Sequence, residues 1–145
     1  MAIPFHEDSR GFSLIELAVT LALLGILSAV ALSGYRDWQE RAADAVAEAD
    51  YRSVKLGLSG ALLDENSPTT VVMRRLLGPG PLPAPLQSIS LSQNVQVSIV
   101  YRKRIRRNQR PLTRTTIVVE NVEGGKRFRL VEVNGAVVEQ QIDRA

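Results

Sequence analysis

From Phe12 to Gly34 the chain carries one ionisable side chain, Glu16, in a run otherwise made of apolar and small residues. That run is long enough to cross a bilayer as a helix, which takes about 20 apolar residues. The carboxylate near its start is the constraint. A charge in hydrocarbon costs roughly 2.5–3.5 kcal/mol at the centre of a span and less towards the ends. A charge in such a place needs a partner. A cut between Gly11 and Phe12 would create one, because the new α-amino group of Phe12 is a cation. A second chain shifted along the helix axis could bring that amine to Glu16.

Two ordinary readings compete, a signal anchor and a secretory signal peptide. A secretory signal has an apolar region of about 7–15 residues before a small-residue cleavage site. The run here is longer, although Ser28-Ala29-Val30-Ala31 is a passable cleavage site. Neither reading accounts for Glu16 or for the glycine ahead of the run.

At Gly11-Phe12-Ser13-Leu14-Ile15-Glu16-Leu17 the chain resembles the type IV pilin family, which includes the pseudopilins of type II secretion. That pattern is a short polar leader, a glycine at the cut, phenylalanine as first mature residue and glutamate as fifth. Gly11, Phe12 and Glu16 match it one for one. The leader Met1–Gly11 departs from the usual basic leader, with Glu7 and Asp8 against Arg10. The resemblance implies that a prepilin peptidase cuts after Gly11 and methylates the Phe12 amine. It implies that Glu16 pairs with the Phe12 amine of a neighbour during assembly on an inner-membrane platform. The partners so implied are copies of this chain and other pilins in a helical filament. The place implied is the inner membrane, then an extracellular pilus or a periplasmic pseudopilus. The alternative within the class is a minor pilin or type II secretion pseudopilin.

Removing the leader's Glu7, Asp8 and Arg10 leaves 17 basic and 13 acidic side chains, a net charge near +4. There is no cysteine, hence no disulfide and no zinc–thiolate site. The one histidine, His6, lies in the leader. The mature chain so lacks the commonest acid–base groups, nucleophiles and metal ligands. Gly78-Pro79-Gly80 opens no helix and is no phosphate loop. The acids Glu120, Glu123, Glu132, Glu139 and Asp143 are scattered and form no recognisable calcium loop. No enzyme, cofactor or metal is expected.

The expected fold is α+β: a long N-terminal helix on an antiparallel sheet of about four strands, the pilin fold that the resemblance implies. Residues 1–11 are the leader, 12–35 the membrane half of the helix and 36–145 the globular domain. The helix is expected to continue to about Leu63, with Trp38, Ala42, Ala45, Val46, Ala49, Val54, Leu56 and Leu58 at near-helical spacing. Glu40, Arg41, Asp44, Glu48 and Arg52 fill the other positions. Ser33-Gly34 is where a bend or local melting would fall. Tyr35 and Trp38 stand where aromatics anchor at a membrane interface, and packing of Trp38 on the domain is the alternative. Asp64–Pro68 ends the helix. Residues 64–88 are expected to be a connector, with Ser67-Pro68 starting a short helix over Thr69–Leu77 and Gly78–Pro85 extended. The sheet occupies 89–145. Val95, Val97, Ile99 and Tyr101 alternate with polar positions, Thr115–Val119 is β-branched, and Asn134-Gly135 is a two-residue hairpin before Ala136–Ile142.

Arg102, Lys103, Arg104, Arg106, Arg107, Arg110 and Arg114 are seven of the 17 basic residues, with no acid among them. They fall at the tip of a hairpin or long loop. Three readings stay open: contact with acidic residues of a neighbouring subunit, such as the five carboxylates of Asp37–Asp50; a solvated loop; and binding of nucleic acid or another anionic surface, with stacking by Tyr101.

Overall fold

The computed structural model describes residues 11–63, 67–105 and 110–143. Residues Met1–Arg10 of the expected leader, Asp64–Asn66 of the expected helix stop and the basic residues Arg106 and Arg107 lie outside them. One helix, α1, spans Leu14–Leu62. Seven strands follow: β1 Thr70–Leu77, β2 Gly80–Pro81, β3 Ser90–Leu91, β4 Val95–Arg104, β5 Leu112–Asn121, β6 Lys126–Val133 and β7 Ala136–Asp143. The chain divides into two units, Met1–Asp37 and Trp38–Ala145. In the first, α1 runs unbroken through Ser33-Gly34, so the helix does not melt there. Alanine and leucine on either side sustain the helix against the glycine. Trp38 is 63% exposed and stands outside the core.

In the second unit the C-terminal half of α1 packs on an antiparallel sheet of order β1-β4-β5-β6-β7. β2 and β3 form a separate small ribbon. β4 and β5 bury alternate residues, whereas β7 is exposed along its whole length. Val95, Val97, Ile99 and Tyr101 on β4, with Ile117 and Val119 on β5, face Val54 and Leu58 of α1 in one core. Phe128 and Leu130 of β6 belong to it too, and Phe128 stacks on Tyr51 with ring centroids 5.9 Å apart. The expected turn Asn134-Gly135 joins β6 to β7, with φ of 53° and 84°. Both angles are left-handed, which suits asparagine and glycine and matches the twist of the two strands.

Three expectations are corrected. Thr69–Leu77 is not a helix: β1 pairs with β4 from Thr70↔Arg102 to Leu77↔Gln96. Its β-branched start and the inward Val71 and Met73 suit a strand, and proline at 68 is as compatible with a strand start as with a helix start. The sheet therefore has five strands, and the stretch 64–88 is a connector only in part. A bulge at Arg74–Arg75 interrupts β1, with Arg75 at φ 49° donating its amide to Ser98 Oγ at 3.0 Å. Leu82 and Leu86, from the proline-rich stretch, are buried core residues.

The third correction concerns the buried face of α1. It consists of Ala43, Asp44, Ala47, Asp50, Tyr51, Val54 and Leu58. Leu56 is 73% exposed and Val46 39%. Two carboxylates thus occupy the core side. Asp44 Oδ1 accepts the Lys126 amide at 2.9 Å, and Asp50 accepts the Ser92 amide at 2.7 Å and its hydroxyl at 3.0 Å. Each closes the start of a sheet segment onto the helix. Gly124 makes room for the first anchor, since a Cβ there would lie 2.3 Å from Asp44 Oδ1.

Tyr51 is buried, and its hydroxyl has no hydrogen-bond partner among the described residues. Burial first, and the nearby Glu139 carboxylate second, raise its pKa above the ordinary 10.0. Tyr101 is raised in the same direction by burial and then Glu132. A raised folded-state pKa means stability that is complete below the unfolded value and lost as pH rises through the folded one. The domain is expected to weaken above about pH 10. Tyr51→Phe removes an unsatisfied buried hydroxyl and should raise stability by about 1 kcal/mol at neutral pH. It should also flatten the alkaline loss. Thermal melts at pH 8 and pH 11 check both, and a lower melting temperature at pH 8 would contradict the assignment.

Candidate functional site

The first unit presents the motif residues. Ser13 precedes α1 and caps it. Its Oγ receives the Ile15 amide at 3.4 Å, and Glu16 Oε2 reaches back to accept the Ser13 amide at 3.0 Å. This is a capping box, the Ser-x-x-Glu arrangement in which two orphan amides of a helix start are satisfied reciprocally. The signal for it stands in Ser13-Leu14-Ile15-Glu16, and the reading of Glu16 as an unpartnered charge missed it. A carboxylate has about four lone-pair sites, so one such bond orients Glu16 without saturating it.

Glu16 lines a shallow surface recess with Phe12, Ile15, Val19 and Thr20. Two hydroxyls of this segment bond within the helix: Thr20 donates to the Leu17 carbonyl and Ser33 to the Val30 carbonyl, each at 2.9 Å. Every residue from Gly11 to Ala42 is exposed, and α1 is long and apolar enough there to cross a membrane. An exposed apolar surface of this extent needs lipid or protein to cover it. Among the described residues nothing lies near the Cβ position of Gly11, so none of their contacts requires glycine there.

The basic run divides in the structure. β4 and β5 form the hairpin, and Arg102 and Arg114 are direct cross-strand partners on the face turned away from the core. Arg104 shares that face, whereas Lys103 has the parity of the core-facing residues. Arg110 is exposed two residues before β5. Tyr101 is 4% exposed in the core, so the expected stacking by its ring is ruled out. The residue that sequence reasoning missed is Arg129 of β6. It joins Arg102 and Arg114 around an open groove floored by Val100 and Thr116. Among the described residues no group of three or more histidine, cysteine, aspartate or glutamate side chains could hold a metal ion.

Residues 8–32 match the family described as "Prokaryotic N-terminal methylation motif". The chain carries the N-terminal methylation motif of prokaryotic prepilins. The prepilin motif covers Gly11, Phe12, Glu16 and the apolar segment up to Leu32. The chain is also similar to a type IV major alpha-pilin of Moraxella bovis, 32% identical over 59 residues, covering 41% of this chain and 37% of that protein. It is 34% identical over 58 residues to a fimbrial protein of Pseudomonas aeruginosa, covering 40% and 38%. The chain thus spans less than two fifths of the length of these curated relatives. No solved structure gives a significant match. Helix on antiparallel sheet is the α+β arrangement that the resemblance implied.

Proposed function

We propose that this chain is a structural subunit of a type IV pilus or pilus-like filament. A prepilin peptidase cuts it between Gly11 and Phe12 and methylates the Phe12 amine. Before assembly the apolar half of α1 holds the subunit in the inner membrane. On polymerisation that surface exchanges lipid for the helices of neighbouring pilins, delivered by an inner-membrane assembly platform. Glu16 sets the register, because a carboxylate in an apolar bundle is tolerated only opposite a cation.

One observation carries the reading. A matched methylation motif opens a helix whose apolar half is wholly exposed and bears a single charge, at position 16. The capping bond to Ser13 holds that charge near the new amine terminus. The test is mass spectrometry of the N-terminal peptide from sheared surface filaments and from membranes. A peptide beginning at N-methylated Phe12 and abundant in the filaments is the expected result. The processed peptide at trace level in filaments, or in membranes alone, would shift the assignment to a minor pilin or secretion pseudopilin. An unprocessed N-terminus in both fractions would overturn the reading.

A further inference from the structure

We propose that the outer face of the sheet binds the phosphodiester backbone of a nucleic-acid strand through Arg102, Arg114 and Arg129. The three side chains come from three adjacent strands. Arg102 and Arg114 stand directly opposite each other. Arg129 stands opposite Val118, four residues along β5 from Arg114 and on its far side. At a rise of about 3.4 Å per residue that is a span on the order of 13 Å, room for more than one phosphate. Between them the groove has a volume of ≈ 350 Å³.

Like charges directly opposite on a sheet are unfavourable. None of the three arginines makes an ion pair among the described residues. The one carboxylate among the described residues of this face, Glu120, bonds Arg127 at 2.6 Å. Arg104 carries the positive charge further along the hairpin. The face is therefore an uncompensated cationic strip. Arginine's planar fork meets phosphate oxygens bidentately, and the Thr116 hydroxyl on the groove floor is a further donor. Among the described residues no aromatic ring lines the groove, so the contact reads phosphates and not bases.

The rival occupant is the acidic part of α1 in a second copy. The structure already engages three of its five carboxylates. Of the five carboxylates in Asp37–Asp50, Asp44 and Asp50 are buried anchors and Glu48 pairs with Arg52 in its own helix. Phosphate is the better complement to three arginines.

Arg129 lies outside the basic run, which makes it the discriminating residue. The test uses the full chain in uncharged detergent micelles, unassembled, so that its outcome is independent of the filament reading. Binding of a labelled single-stranded DNA of about 20 nucleotides is followed by fluorescence anisotropy between about 50 and 200 mM salt. Arg129→Gln is expected to weaken binding about threefold and to flatten the log K against log salt slope by about 0.7. Arg129→Lys should keep the slope. Arg52→Gln, on the helix and away from the groove, should behave as wild type. Near-UV circular dichroism confirms that each variant is folded. No binding by the wild type, or an unchanged slope in Arg129→Gln, overturns the proposal. So does salt-sensitive self-association through Arg129 without DNA binding, which would assign the face to carboxylates of a second copy.

Discussion

Glu16→Ala is expected to abolish filament incorporation while leaving the cut after Gly11 intact. In the proposed filament the carboxylate faces the Phe12 amine of a neighbour within an apolar bundle. Deleting one partner of a buried pair leaves the other charge uncompensated, at a cost of about 3–5 kcal/mol. That is a factor of roughly 10²–10⁴ at each subunit contact, and the penalty recurs at every subunit. The structure adds a second role that has to be separated, since Glu16 also caps α1 through Ser13. Loss of the cap alone costs about 1 kcal/mol of helix stability. Glu16→Gln separates the two, because glutamine serves in a capping box but carries no charge. Both variants should be cleaved, methylated and membrane-bound, and both should be missing from sheared filaments. If Glu16→Gln assembles at wild-type levels while Glu16→Ala does not, capping is the role of this residue and the pairing mechanism falls.

Asp50→Ala is expected to remove about 3 kcal/mol from the stability of the sheet-bearing unit. Asp50 is 8% exposed and accepts two bonds from Ser92. Hydrogen bonds to a charged group are worth about 1.5–3 kcal/mol each, and truncation leaves the Ser92 amide without a partner. In a unit of roughly 100 residues this corresponds to a fall in melting temperature of more than about 10 °C. The anchor also explains where the damage falls. Ser92 follows β3 and leads into β4, the strand that carries Val95, Val97 and Ile99 into the core. Thermal melts of the full chain in micelles, followed by near-UV circular dichroism, measure the effect. A loss below about 1 kcal/mol would show that the Asp50–Ser92 contact is a surface detail. Asp50→Asn, which keeps one acceptor oxygen, should fall between the two.

The elements legible in the sequence were those written in local periodicity. The apolar run with Glu16, the alternation Val95–Tyr101, the β-branched Thr115–Val119 and the Asn134-Gly135 turn each state their conformation within about ten residues. α1 ends one residue from the expected stop, and β7 spans Ala136–Asp143 against an expected 136–142. Thr69–Leu77 was misread because Ser67-Pro68 is a local signal shared by helix and strand starts. What settles it is a partner 19 to 32 residues away, the open edge of β4. The charged groups show the same division. The spacing of Asp44 and Asp50 on α1 reads as solvated, because their partners, Lys126 and Ser92, are distant in the chain.

By itself the sequence determined a long helix whose apolar N-terminal half bears a single carboxylate and whose second half belongs to a domain with an antiparallel sheet. Side-chain chemistry and short-range spacing are enough for that. Tertiary structure decided which face of α1 is buried, that the sheet has five strands, and that Arg129 stands with Arg102 and Arg114 while Lys103 does not. Strand pairing and register create those neighbours across tens of residues. A shift of one residue in register would have sent every arginine of the groove to the opposite face.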